Sequence, residues 1–357
     1  MLSPYIYVQS KKAEKWQQYQ NFIFFSVWCK ANEGLTFNLH LFDKSPELKA
    51  KLKKYGYSSQ PSKKGKALFD SIKRIYELFA ELSREQIREL KKLYLNNVKV
   101  ERSCVDDDRA VLRFEDLDKY GDDFQKELKR FCDLLWDKNF ITKTQLGDHY
   151  SEFKSENKLT KVKKCHICGI SPMTVSANLR ESYDHYLPRS SYPFISVNMK
   201  NLVPTCHDCN SKRKTIKDPL FGTSRRFAFY PYSASSDIEL KIFINDNSYE
   251  NLESENFTLN FTSSDPKYNQ HVETWNELYD IERRYKEELA TDDARIWIEE
   301  AKTRSRMPSD PDNKIDNSIE AQIEEMECLV VGGKSSITNQ RFLKIPLLKE
   351  CKRKNFI

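Results

Sequence analysis

Two Cys-x-x-Cys pairs, Cys165/Cys168 and Cys206/Cys209, constrain this chain more than any other feature. Each pair lets two sulfurs and the amides of their turn wrap one metal. Two such pairs complete a four-thiolate tetrahedron suited to zinc. Gly169 follows the first pair, where the turn needs a residue free of Cβ constraints. In small modules such a site supplies about 10–16 kcal/mol of folding free energy. The segment holds few large apolar residues and needs that staple. A redox or disulfide pair is the competing reading, disfavoured in a basic, cytosolic setting. His166 and His207, each inside a pair, are alternative ligands in place of a cysteine; otherwise they face solvent or phosphate.

The charge pattern indicates what the module meets. The whole chain of 357 residues carries a net charge of only +6. Between Lys161 and Lys217, however, ten Lys/Arg face three Asp/Glu, and the surplus of seven leaves the remainder at −1. A basic island in a neutral chain suits a polyanion, most simply a phosphodiester backbone. With 39% hydrophobic and 31% charged residues, the chain reads as soluble, globular and rather helical. Its length predicts two or three domains. The other five cysteines, Cys29, Cys104, Cys132, Cys328 and Cys351, lack pairing spacing and read as buried or idle thiols. No secretory signal opens the sequence, and the apolar run Phe22 to Cys29 falls far short of the ~20 residues a bilayer span needs. A cytoplasmic location without membrane contact is expected.

Periodicity divides the chain into a helical region 1–159, the cysteine module 160–217, and a region 218–357 that opens with strands and returns to helix. Residues up to about 60 give no clear pattern, and Ser58 to Gly65 reads as a turn or linker. Leu68, Ile72, Ile75, Phe79 and Leu82 then recur at helical spacing. Ser83 and Gln86 form a capping box that starts a second helix with Ile87, Leu90 and Leu93 inward. Asp106, Asp107 and Asp108 read as a solvated acidic turn rather than a metal site. Leu128, Phe131, Leu134 and Leu135 mark a further helix. RRFAFYPY, IELKIFIN and FTLNFT alternate as strands do. Helices are expected around Trp275 to Tyr279, from Glu282 to Leu289, and after the capping residue Thr291. MPSDPDNK reads as a linker, and residues 315–357 as one helix with a basic end. The fold class is α+β: a mainly helical protein with a small ββα zinc module and a β-rich stretch after it.

A closed zinc site has no open coordination position, so chemistry must come from other residues. Asp184-His185 lies between the cysteine pairs and Asn210 follows the last cysteine. The strings DHYLPRS and NLVPTCHDCNSKRK resemble the HNH endonuclease family with zinc knuckles, a ββα-metal nuclease. The resemblance covers about residues 160–217 and does not extend to the flanks. It implies that His185 is the general base and that Asp184 and Asn210 hold a divalent ion. Asn201 is then the middle Asn that pins the loop behind the histidine. Hard oxygen ligands favour Mg2+ or Mn2+ there. Lys212, Arg213, Lys214 and Arg189 would grip phosphates. The chain departs from the family pattern in having Asn in place of the third His and no glycines in SSYPFISVNMK. Asn198 is an alternative to Asn201.

The expected activity is metal-dependent hydrolysis of nucleic acid, most naturally double-stranded DNA, with RNA or tRNA not excluded. The flanks suggest the effector of a bacterial defence or restriction system with an ATPase or other regulatory protein as partner. Against the catalytic reading stands a zinc-stapled, non-catalytic nucleic-acid-binding adaptor. In that case the Asp-His pair is a relic. Residue by residue, the plainer readings are that Asp184 merely orients the imidazole, Asn210 caps the helix and the basic run at Lys212 is a solvated face.

Overall fold

The computed structural model describes residues 3–105, 109–174, 182–233, 238–250, 252–309, 316–331 and 337–357. The acidic run Asp106 to Asp108 and residues 310–314 of the expected linker lie outside these. Thirteen α-helices are described: α1 Lys15–Phe22, α2 Pro46–Gly56, α3 Lys63–Ala80, α4 Arg84–Val98, α5 Val100–Val105, α6 Asp122–Asp137, α7 Lys143–Glu156, α8 Leu159–Val162, α9 Asn269–Tyr279, α10 Ile281–Leu289, α11 Asp292–Ser305, α12 Ile319–Val331 and α13 Arg341–Arg353. Two antiparallel pairs accompany them, β1 Tyr183–His185 with β2 Leu202–Pro204, and β3 Glu239–Ile244 with β4 Phe257–Thr262.

Local signals set the helix starts. The Ser62 hydroxyl accepts from the Gly65 amide and begins α3 inside the stretch expected to be a linker. Ser83 and Gln86 cap α4 reciprocally, as the sequence predicts, and Thr142 and Gln145 do the same for α7. The apolar run after α1 continues the helix as a π turn and a 3-10 turn, which end at Gly34 with φ of 86°. Trp28 from that run donates its indole N–H to the Ile72 carbonyl at 3.0 Å and stacks on Phe79. Leu68, Ile72, Ile75 and Phe79 of α3 and Phe124, Leu128 and Phe131 of α6 close over it, all buried.

A second apolar cluster surrounds the four cysteines and extends through β3, β4 and α9 to α13. The β1/β2 hairpin lies at the seam. Tyr183 and Leu202 pack with the first cluster, while Val203, Tyr186 and Leu187 pack with the second. IELKIFIN and FTLNFT pair from Glu239↔Thr262 to Ile244↔Phe257. RRFAFYPY forms no strand. Ala228, Phe229 and Tyr230 are buried in succession, which a half-exposed strand does not allow. Its backbone bonds elsewhere, Ala228 N–H to Cys104 O and Pro231 O from Tyr5 N–H. The C-terminal region holds two helices where the sequence suggests one, and the second runs through Pro346.

Candidate metal centre and hairpin site

The four thiols converge. Cys165, Cys168, Cys206 and Cys209 are buried, and their Sγ atoms all lie within 4.8 Å of one another. A tetrahedral Zn–S distance of ~2.3 Å requires sulfurs ~3.8 Å apart, so the cluster is of the right size. Gly169 adopts φ of 75° and its amide donates back to the Cys165 carbonyl, closing the first turn. Burial pushes the Cys165 and Cys209 thiols well up. Four deprotonated sulfurs there require a cation.

The surroundings independently favour a metal-thiolate centre. Arg284 of α10 is buried, and its guanidinium lies 3.5 Å from Cys209 Sγ and 2.9 Å from the Ser171 hydroxyl. No carboxylate among the described residues lies within ion-pair distance of it. A buried guanidinium needs an anion, and a zinc ion with four thiolates carries two net negative charges. Other regions hold the turn in place. Trp275 and Tyr285 donate to the Ile167 and Cys168 carbonyls, both at 2.8 Å. His166 is not turned toward the sulfurs. Its ring stacks on Tyr5 and its Nδ1 meets the Pro4 carbonyl. His207 is exposed.

Asp184 and His185 occupy consecutive positions on β1, opposite Val203 and Leu202. His185 is partly buried, its Nε2 lies 2.9 Å from the Ser196 carbonyl, and Trp136 of α6 meets its ring edge-on at 4.5 Å. An oxygen acceptor at Nε2 fixes the proton there and leaves the Nδ1 lone pair free. Burial, with the charges of Arg189 and Lys214 nearby, pulls the imidazole down to about 3, so it is neutral near pH 7. Asp184 is buried too. Its Oδ1 accepts from Lys214 Nζ at 3.0 Å, and its Oδ2 has no partner. Burial raises this carboxyl despite the lysine.

Asn201 clasps the chain just after the histidine. Its Oδ1 accepts from Leu187 N–H at 2.8 Å and its Nδ2 donates to Leu187 O at 3.0 Å. Asn198 is engaged elsewhere, donating to the Val98 carbonyl. Asn210 sits in the π turn Asp208–Lys214 that follows β2, partly exposed. Its side-chain amide makes no hydrogen bond among the described residues.

The four basic residues are all ion-paired. Lys212 pairs with Asp208 at 2.8 Å, and Arg213 with Asp280 at 3.0 Å. Arg189 is held by Asp133 and Asp137 of α6 at 2.8 and 3.0 Å. Lys214 points inward: it is fully buried, bonded to Asp184 and to the His185 carbonyl. Its ammonium is therefore not presented to phosphate in this conformation. Acids from flanking elements thus meet Arg189 and Arg213, while Lys212 and Lys214 pair with acids of the module itself.

Sequence reasoning did not single out Trp136, Asp133, Asp137 or Arg284. They lie far from the cysteines along the chain, and no local spacing marks them. A comparison with protein-family models finds no match, and comparisons with curated proteins and with solved structures find none either. The residues themselves carry the functional argument.

Proposed function

We propose that this chain is a metal-dependent endonuclease of the HNH type that hydrolyses phosphodiester bonds, with double-stranded DNA as its first substrate. One observation carries the reading. A single three-residue strand beside the cysteine cluster presents a neutral imidazole fixed by a backbone carbonyl and a buried carboxylate with one unpartnered oxygen.

His185 acts as general base through Nδ1, taking a proton from the attacking water while Nε2–H stays on Ser196. An approaching phosphate, being anionic, raises the depressed imidazole toward the range where a base works. Asn201 keeps residues 186–187, and with them the histidine, in register. Asp184 Oδ2 and the Asn210 amide oxygen, hard donors without partners among the described residues, would hold Mg2+ or Mn2+. Bound there, such an ion would supply charge stabilisation to the phosphodiester under attack. On this reading Arg189 exchanges Asp133 and Asp137 for a phosphate of the strand.

The Lys214–Asp184 pair favours the rival, a zinc-stapled adaptor, because an internal cation already neutralises the carboxylate. Plasmid cleavage separates the two. The purified protein with Mg2+ or Mn2+ should cut supercoiled DNA, stop with EDTA, and lose ~10²–10⁴-fold in rate on His185→Ala. That variant should keep its zinc and its DNA affinity. Wild-type protein that binds DNA but cuts with neither ion establishes the adaptor; cleavage confined to a tRNA arm moves the substrate to RNA.

A further inference from the structure

A groove of about 1040 Å³ runs between β3 and α13, and it shares Trp275 and Tyr285 with the packing around the first cysteine turn. Phe261, Trp275, Tyr285, Phe342 and Ile345 form its apolar lining. Two features make it more than an apolar gap.

The first is the sheet edge. Asn245 N–H bonds to Asn256 O, so in the β3/β4 register Glu239, Lys241 and Phe243 also point their backbone groups at β4. Leu240, Ile242 and Ile244 therefore point theirs outward. The outward amide of Ile244 is capped by Glu350 Oε1 at 3.0 Å. Leu240 and Ile242 have no such cap among the described residues, and both line the groove. A two-stranded sheet thus carries an open edge along the groove floor.

The second is Arg341, the first residue of α13. It lines the groove, is only 8% exposed, and its Nη1 has no hydrogen-bond partner. Four acids nearby are already engaged, Glu327 with Lys349, Glu350 with Arg353, Glu300 with Lys344 and Glu325 with Arg304, while Glu239 on β3 is solvent-exposed and has no ion pair among the described residues. The adjoining residues 332–336, GGKSS, contain no acid. The N-terminus of α13 also lacks a side-chain cap. A guanidinium desolvated without an anion is costly to keep unless something else supplies the anion.

We propose that this groove binds an extended peptide that adds a third strand beside β3 and places a carboxylate on Arg341. The peptide pairs with the outward N–H and C=O groups of Leu240 and Ile242. It buries alternate apolar side chains against Trp275 and Phe342. The carboxylate is either the peptide's C-terminus or an Asp/Glu side chain.

Two phage libraries of random peptides, one displayed with free C-termini and one internally, are selected on the full-length protein. Selected sequences are then synthesised and measured by fluorescence anisotropy. Enriched peptides should alternate apolar residues and carry an acid. Amidating the C-terminus, or replacing the acid by its amide, should weaken binding at least tenfold, and whichever does so identifies the carboxylate. Backbone N-methylation at alternate positions should abolish binding. Arg341→Met should cost the same tenfold, with no further loss from the neutralised peptide, while its zinc content and melting temperature stay at or above wild type. No enrichment from either library, or peptides that bind Arg341→Met as tightly as wild type, overturns the proposal.

Discussion

The helical core and the cysteine side of this molecule are stabilised in different ways. Around Trp28 the largest side chains, among them Phe24, Phe79, Tyr94, Phe124 and Phe131, are fully buried against each other. That region needs no ion, because apolar area removed from water accounts for it. The hairpin site has strands of only three residues. Its turns are fixed by four thiols and by hydrogen bonds from distant residues such as Trp275, Tyr285 and Ser3. Beside the buried Phe194, Ile195, Leu202 and Val203, we expect a metal on the four sulfurs, together with these bonds from the flanks, to keep the site ordered. The proposed chemistry thus sits at the seam of the two apolar clusters.

The largest expected effect is metal removal. Cys206→Ser or a strong chelator should withdraw folding free energy on the order of the 10–16 kcal/mol seen for zinc modules. Hydrogen exchange read by mass spectrometry should show the amides of 165–210, α9 and α10 losing protection. Those of α3 and α6 should stay protected. Equal loss in α3 and α6 would break the contrast by making one cooperative unit of both sides. Unchanged protection everywhere would mean that the sulfurs hold no structural metal.

The converse substitution is smaller and sharpens the same contrast. Phe79 is wholly buried, between Trp28, Phe24 and Phe124. Phe79→Ala should cost about 3–5 kcal/mol through lost burial and a residual cavity. Denaturant melts would report it. Bound zinc per chain, measured on the folded protein, should stay at wild-type level.

The two sides also differ in how far they can be read from the residues. In the helical core each signal is local. The Ser83/Gln86 box and the spacing of Leu68, Ile72, Ile75 and Phe79 act within one or two turns, so they give α3 and α4 directly. The cysteine pairs are equally legible, since a pair constrains its own turn. The surroundings of the site are not. Lys214 looks like the third member of a surface basic run, yet burial against Asp184 is decided by how the π turn meets β1. Arg189 meets Asp133 and Asp137 only after α6 has docked. RRFAFYPY alternates as a strand does, but among the described residues its β pairing is limited to the single bridge Arg225↔Phe221, and three successive side chains are buried instead. Tertiary packing overrides local preference at these places.

The smallest expected effect concerns a histidine on the cysteine side that the proposed reaction does not use. His271 of α9 is 5% exposed, stacked on Phe227 at 5.4 Å, and neither ring nitrogen has a partner. Burial pulls it down to about 4, against an ordinary 6.5. Between those values the unfolded chain binds a proton that the folded chain refuses. Stability is therefore full above pH 6.5 and falls as the pH drops toward 4. From pH 7.5 to pH 5 this one group should remove about 2 kcal/mol. His271→Phe keeps the ring packing and abolishes the titration, so the variant should lose about 2 kcal/mol less than wild type over that range. Both proteins carry the same cysteine cluster, and acid release of its metal cancels in the difference. Parallel stability–pH curves would show that α9 opens readily enough for His271 to protonate in place, and the cysteine side would then be looser than its packing indicates.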